Sequence, residues 1–288
     1  VIVQISGLSA VADRYDGFVL DLWGVIHDGV VAYPGVAETL AALKAAGKRT
    51  IMLSNAPRRA AALIEQLTRM GIARDLYDEV LSSGEAVYLE LQRRSDPVFA
   101  ALGDALYHLG PERDRNVFDT LTYRSVDLDR ADFVLNTGPV EIGETVGDYQ
   151  SVLERALARR LPMVSANPDH VVIRQGKRIT CAGALADRYA DMGGQVVSRG
   201  KPDPAIYAVA LAALGIEDRS RVCAVGDALH TDIRGARAGG FDAVLVTGGI
   251  HADELGIKWG ETADPVRLAE LARHHGETPV AAISKFVW

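Results

Sequence analysis

Apolar positions along the chain fall into short continuous runs separated by longer stretches with helical spacing. Phe18-Val19-Leu20, Ile51-Met52-Leu53, Val222-Cys223-Ala224-Val225 and Ala243-Val244-Leu245-Val246 are such runs, and uninterrupted apolar runs of this length read as strands buried on both faces. Pro34 to Ala46 places Val36, Leu40 and Leu43 at helical spacing and stops at Gly47. A second helix is expected from Pro57 to Met70, capped by Ser54 or Asn55 and followed by Gly71. Further helices are expected from about Ala205 to Leu214 and from about Thr231 to Ala238. Buried strands alternating with helices imply a doubly wound parallel α/β sheet.

The middle of the chain repeats the style without continuing it. Strands are expected at Asp132–Leu135, Pro162–Ser165 and Val171–Ile173, and helices at Ser151–Arg159 and Ala182–Met192. This stretch separates two parts of one sheet. The expected organisation is therefore a core built from 1–83 and 197–288, with an α/β cap inserted at 84–196. The apolar tail from Pro279 to Trp288 is expected as a last core strand or as an interface strand of a homo-oligomer.

Composition narrows the function classes. With 288 residues and 48% hydrophobic content, the chain can bury a sizeable core. It carries 31 basic against 38 acidic side chains, a formal net charge of −7, and a pI of about 5.5, which argues against a nucleic-acid or anionic-membrane binder. No run approaches the roughly 18 apolar residues of a spanning helix, and Val1–Arg14 shows no basic segment ahead of an apolar one. Cys181 and Cys223 are expected as buried free thiols. The expected location is the cytoplasm.

Several polar residues lie just past predicted strands: Asp21, Ser54-Asn55, and Asp227 with Asp232. In an open parallel sheet the carboxyl ends of the strands share one crevice, so these residues are expected to converge there, with Lys201 opening the next helix. Clustered carboxylates demand a counter-ion, and hard oxygen donors favour Mg²⁺. The N–H groups of a helix beginning at Pro57 offer an anion site, and the lysine adds a cation. Metal, anion site and lysine in one cleft point to phosphoryl chemistry.

Asp-Leu-Trp-Gly-Val at 21–25, Leu-Ser-Asn at 53–55, Gly-Lys-Pro-Asp-Pro at 200–204 and Gly-Asp-Ala-Leu-His-Thr-Asp at 226–232 resemble, in order, the motifs of the haloacid dehalogenase superfamily. The cap inserted between the second and third, with Asn167-Pro168-Asp169, is similar to its class IIA, NagD-like branch. The resemblance implies a Rossmann-like core, a capped active site, Mg²⁺ and a small phosphorylated metabolite as substrate. Asp21 is then the nucleophile that forms an aspartyl-phosphate. Ser54 and the amide of Asn55 bind the phosphoryl oxygens, and Lys201 pairs with both Asp21 and the phosphoryl group. Mg²⁺ is held by Asp21, the backbone carbonyl of Trp23 and Asp227, with Asp232 a ligand or its partner. From the cap, Asn167, Asp169 and His170 face the substrate.

One position departs from the resemblance. Phosphatases of the family carry a second aspartate two residues after the nucleophile, where this chain has Trp23. Indole cannot donate a proton at neutral pH, and loss of a positioned acid typically costs about 10²–10⁴-fold in rate. Three readings follow: a phosphatase whose leaving group needs little protonation, such as an acyl phosphate or phosphoanhydride, one with a relocated acid for which His27 and Asp28 are the candidates, or a hydrolase of C–P or C–halogen bonds. A weakened homologue that binds metal and phosphoryl groups as a regulatory module is the alternative from another class. A dinucleotide-dependent oxidoreductase is set aside, because no Gly-x-Gly-x-x-Gly follows Leu20. Arg174 and Arg178 are expected on a solvated hairpin face, and His274-His275 at a solvated helix end.

Overall fold

The computed structural model describes residues 2–288. The chain lays down β1 (Val3–Ile5), β2 (Gly17–Leu20), β3 (Arg49–Ser54) and β4 (Glu79–Ser82). It then builds β5 (Ala105–Leu109), β6 (Arg124–Ser125), β7 (Phe133–Asn136), β8 (Met163–Ser165), β9 (Val171–Arg174), β10 (Lys177–Thr180) and β11 (Val196–Ser198). Finally β12 (Val222–Gly226), β13 (Asp242–Val246) and β14 (Ala281–Ile283) return to the first sheet. That sheet has seven parallel strands in the order β1-β14-β13-β12-β2-β3-β4. A second, five-stranded parallel sheet runs β11-β8-β7-β5-β6, and β9 and β10 form a separate antiparallel hairpin. The fold is α/β and Rossmann-like.

The continuous apolar runs have a simple cause. Along each strand of the first sheet alternate side chains enter opposite apolar layers: Phe18 and Leu20 on one side with Val19 on the other, Cys223 and Val225 against Val222 and Ala224, Val244 and Val246 against Ala243 and Leu245. Helices cover both faces, so neither face can be polar. The second sheet is built the same way, with Val134 in one layer and Phe133 and Leu135 in the other.

Four local expectations change. The tail strand β14 lies inside the first sheet between β13 and β1, so the core reading of that segment holds over the interface reading. β11 pairs with β8, which carries the second sheet through Ser198, beyond the expected boundary at 196. Pairing decided this, because a three-residue apolar strand suits either sheet. The strand expected at Val171–Ile173 is half of a hairpin whose turn places Gln175 and Gly176 at φ +48° and +74°, the left-handed pair that a two-residue turn requires. The helix expected from Pro57 begins at Ala60. Among the described residues no helix is long and apolar enough to cross a membrane.

Candidate active site

Strands β12, β2 and β3 are neighbours in the middle of the first sheet. Asp227 directly follows β12, Asp21 directly follows β2, and Ser54 ends β3, so the crevice at their carboxyl ends collects all three. Asp21, Asp227, Asp232 and Lys201 are all buried. The Lys201 ammonium donates to Asp21 Oδ1 at 2.5 Å and to Asp232 Oδ1 at 2.7 Å. A π-helical turn over Leu229–Ile233 holds Asp232, whose Oδ2 accepts the Ala228 N–H at 3.1 Å. Asp227 Oδ2 accepts the Ile250 N–H at 2.7 Å. The loop after Asp21 passes so close that a Cβ at Gly24, where φ is +75°, would lie 2.0 Å from Asp227 Oδ2. Only glycine allows that approach.

One cation among three buried carboxylates leaves the cluster too acidic. Burial pushes the Asp21 carboxyl up to about 7, against the pull of Lys201 and with a further push from Asp232. Burial, with Asp21 and Asp232 beside it, holds Asp227 well above the usual carboxylate range. Burial alone would lower Lys201, but Asp21 and Asp232 outweigh it and keep the ammonium protonated. Carboxylate oxygens of Asp21, Asp227 and Asp232 lie within 4.8 Å of one another. An oxygen-only donor set with surplus negative charge fits a hard divalent cation.

The Ser54–Asn55 segment works differently from the expected helix cap. Ser54 Oγ accepts the Ala56 N–H at 3.1 Å, and the first N–H of the following helix, at Ala60, is taken by Glu85 Oε2 at 2.9 Å. Glu85 also grips Arg59 through two bonds of 2.6 and 3.0 Å. The first N–H of this helix is therefore occupied by a carboxylate. The Asn55 side chain is a clasp between the end of β3 and residues distant in the chain. Its Oδ1 accepts the Lys201 N–H at 2.7 Å and the Ser83 hydroxyl at 3.2 Å, while its NH₂ donates to the Lys201 carbonyl at 3.1 Å and to Asp169 Oδ1 at 2.7 Å.

Two cavities meet at this point. A small one of about 70 Å³ is lined by Asp21, Ser54, Lys201, Asp227 and Asp232 and also by Tyr33 and His230, two residues with no signal of their own in the sequence beyond the place of His230 inside the 226–232 motif. A larger one of about 470 Å³ lies against the segment from β5 to β11 that carries the five-stranded sheet, here the second unit, and is lined by Arg58, Arg113, Thr137, Asn167, Arg174 and Cys181 among others. Trp23, Asp169 and Val172 line both. Arg174 thus faces a cavity rather than a solvated hairpin face. Asn167 accepts the Asp169 N–H on Oδ1 at 2.8 Å.

Three expected residues stand apart. His170 is exposed and pairs with Asp187 at 2.8 Å; it borders neither cavity, since Asp169 turns inward and its neighbour therefore turns out. His27 is buried, its Nδ1 accepts the Gly29 N–H at 3.0 Å, and burial lowers its pKa to about 4, so the ring is neutral. Asp28 Oδ1 caps the turn by accepting the Val30 and Val31 N–H groups, each at 2.9 Å. Neither borders the cavities, so neither fits the relocated acid. Their work is to hold Trp23: its ring packs edge-on to His27 with centroids 5.3 Å apart, and a Cβ at Gly29, where φ is +90°, would come within 2.1 Å of the indole. His275, expected in solvent, packs against His251 at 5.1 Å between centroids.

Residues 18–124 match the model of the haloacid dehalogenase-like hydrolases, and residues 198–271 match the related HAD-hydrolase-like model. A haloacid dehalogenase-like hydrolase from Brucella suis is 31% identical, with a TM-score of 0.84 over 99% of this chain and 100% of the other. The 4-nitrophenylphosphatase of Schizosaccharomyces pombe is 26% identical over 84% of this chain and 87% of its own. The D-glycerol 3-phosphate phosphatase of Mycobacterium tuberculosis is 26% identical over 93% of this chain and 71% of its own.

Proposed function

The chain belongs to the haloacid dehalogenase-like hydrolases, in their class IIA (NagD-like) branch, and from that premise we propose that it is a Mg²⁺-dependent phosphatase of small phosphorylated metabolites. The observation that carries this reading is the single buried ammonium of Lys201 set among the carboxylates of Asp21, Asp227 and Asp232 on a cavity of about 70 Å³. The cavity has room for a phosphoryl group beside the carboxylates and Lys201. Relatives named as phosphatases of 4-nitrophenyl and glycerol phosphates support the substrate class.

In this reading Asp21 attacks phosphorus, the bond to the leaving oxygen breaks, and an aspartyl-phosphate forms that water then hydrolyses. Lys201 opposes the burial that would protonate Asp21, keeps its carboxylate pointed at the phosphorus, and balances the phosphoryl charge. The Ser54 hydroxyl faces the phosphoryl oxygens. Asn55 serves by fixing Lys201 and the second unit through its side chain. Mg²⁺ held by Asp21, Asp227 and the Trp23 carbonyl, with Asp232 behind, would act as a Lewis acid on the phosphoryl oxygens. Mg²⁺-dependent phosphate release from acetyl phosphate, p-nitrophenyl phosphate and a hexose phosphate tests the reading. Release from all, lost in Asp21→Asn, is expected. No release from any of them would replace the phosphatase with a phosphoryl-binding module or a hydrolase of another bond.

A further inference from the structure

We propose that Asp169, reaching in from the second unit, is the proton donor to the leaving oxygen; this rests on the phosphatase reading above. With the phosphoryl group in the small cavity beside Asp21 and Ser54, the adjoining larger cavity offers the volume for the remainder of the ester. The scissile P–O bond then runs through the neck shared by the two, and the residues common to both linings are Trp23, Asp169 and Val172. Indole N–H is no acid at neutral pH and valine has no proton to give. The carboxyl of Asp169 is the group at the neck that can transfer one.

Its surroundings set its orientation. The Lys201 N–H and the Ser83 hydroxyl both donate to Asn55 Oδ1, so the Asn55 NH₂ group must face Asp169, where it donates to Oδ1 at 2.7 Å. This leaves Asp169 Oδ2 to carry the proton. The turn closed by the Asp169 N–H on Asn167 at 2.8 Å holds the backbone in place. Burial raises the carboxyl above its ordinary range, against the opposing pull of Lys201 and the Asn55 hydrogen bond.

The proton balance closes over one turnover. As the Asp21 oxygen bonds to phosphorus, the leaving oxygen keeps the P–O electron pair, takes the Asp169 proton and departs as a neutral alcohol. Asp169 is left as a carboxylate. When water attacks the aspartyl-phosphate, Asp169 takes one of its protons, the remaining OH stays on phosphorus, and Asp21 is freed as carboxylate with release of phosphate.

Single-turnover release of the leaving group from a hexose phosphate and from p-nitrophenyl phosphate, in the full chain with Mg²⁺, tests the assignment. Asp169→Asn keeps an acceptor for the Asn55 NH₂ group and removes the acid. It should slow release from the hexose phosphate by about 10²–10⁴-fold, and release of nitrophenolate, which leaves without a proton, by less than about tenfold. Competitive inhibition by inorganic phosphate should persist. Asp169→Glu, which restores an acid at the neck, should recover part of the hexose phosphate rate. Equal losses on both substrates, no loss on the hexose phosphate, or failure of both variants together with loss of phosphate inhibition would overturn the donor and leave the phosphatase reading standing. No release by the unaltered chain would overturn both.

Discussion

Among the places where carboxylates are buried against cations, two are opposites. Glu277 is buried near the end of the chain with both oxygens engaged, by Arg234 at 2.9 Å and by Arg237 at 2.8 and 3.1 Å. The two arginine side chains are 44% and 64% exposed, so water solvates the surplus positive charge. In the crevice the ratio is inverted: Asp21, Asp227 and Asp232 share Lys201, all four are buried, and an open cavity adjoins them. The arginines hold Glu277 below the usual carboxylate range although burial pushes the other way, whereas Asp21 and Asp227 are held above it. A balanced buried ion pair is part of the scaffold. An unbalanced one beside a cavity is a site waiting for charge from outside.

The contrast can be broken most severely at Asp21. Asp21→Asn should reduce phosphate release by about 10⁴–10⁶-fold, yet leave the melting temperature of the cation-free protein unchanged or raised, because it removes one of the crowded carboxylates. A lowered melting temperature would place Asp21 with Glu277, as scaffold. Mg²⁺ at about a hundredfold excess over its Kd should stabilise the unaltered protein by about 2.7 kcal/mol. Thermal melts of Asp227→Asn should show most of that gain missing, and an undiminished gain would move the cation elsewhere.

Glu277→Gln should cost about 1–3 kcal/mol of stability, the loss of charge-assisted hydrogen bonds, with turnover and Mg²⁺ response intact. The pH dependence of that difference has a definite sign. The folded Glu277 pKa lies below the unfolded one, so its contribution is full above the unfolded value of about 4.3 and lost as pH falls through the folded value. The melting difference between Glu277→Gln and the unaltered protein should stay constant from about pH 5 to 8 and shrink below about pH 4. A difference that grows on acidification would contradict the assignment.

Asp21, Ser54 and Asp227 were legible in the sequence because each ends or directly follows a strand that is apolar on both sides. Topology then brings Asp21, Ser54 and Asp227 together whatever the details of the loops. The helical start at Pro57 was misread because Ser, Asn and Pro are good capping residues in isolation, whereas Glu85 arrives from another element to take the first N–H. Edge strands such as β1 and β6 are too short to leave a periodic pattern, and β11 could pair with either sheet.

Local sequence, then, determined which residues are chemically able to act and which strands carry them: the apolar runs, the acids and the lysine beyond them, and the absence of an acid at Trp23. Tertiary structure alone decided which of the remaining groups meet. His27 and Asp28 lie only a few residues from Trp23 yet turn to hold its loop, while Asp169, more than a hundred residues from Asn55 in the chain, lies within 2.7 Å of it. The reason is that hydrophobic periodicity and turn chemistry act over a few residues, but the neck between the cavities is made by two units packing together, and no local preference encodes that meeting.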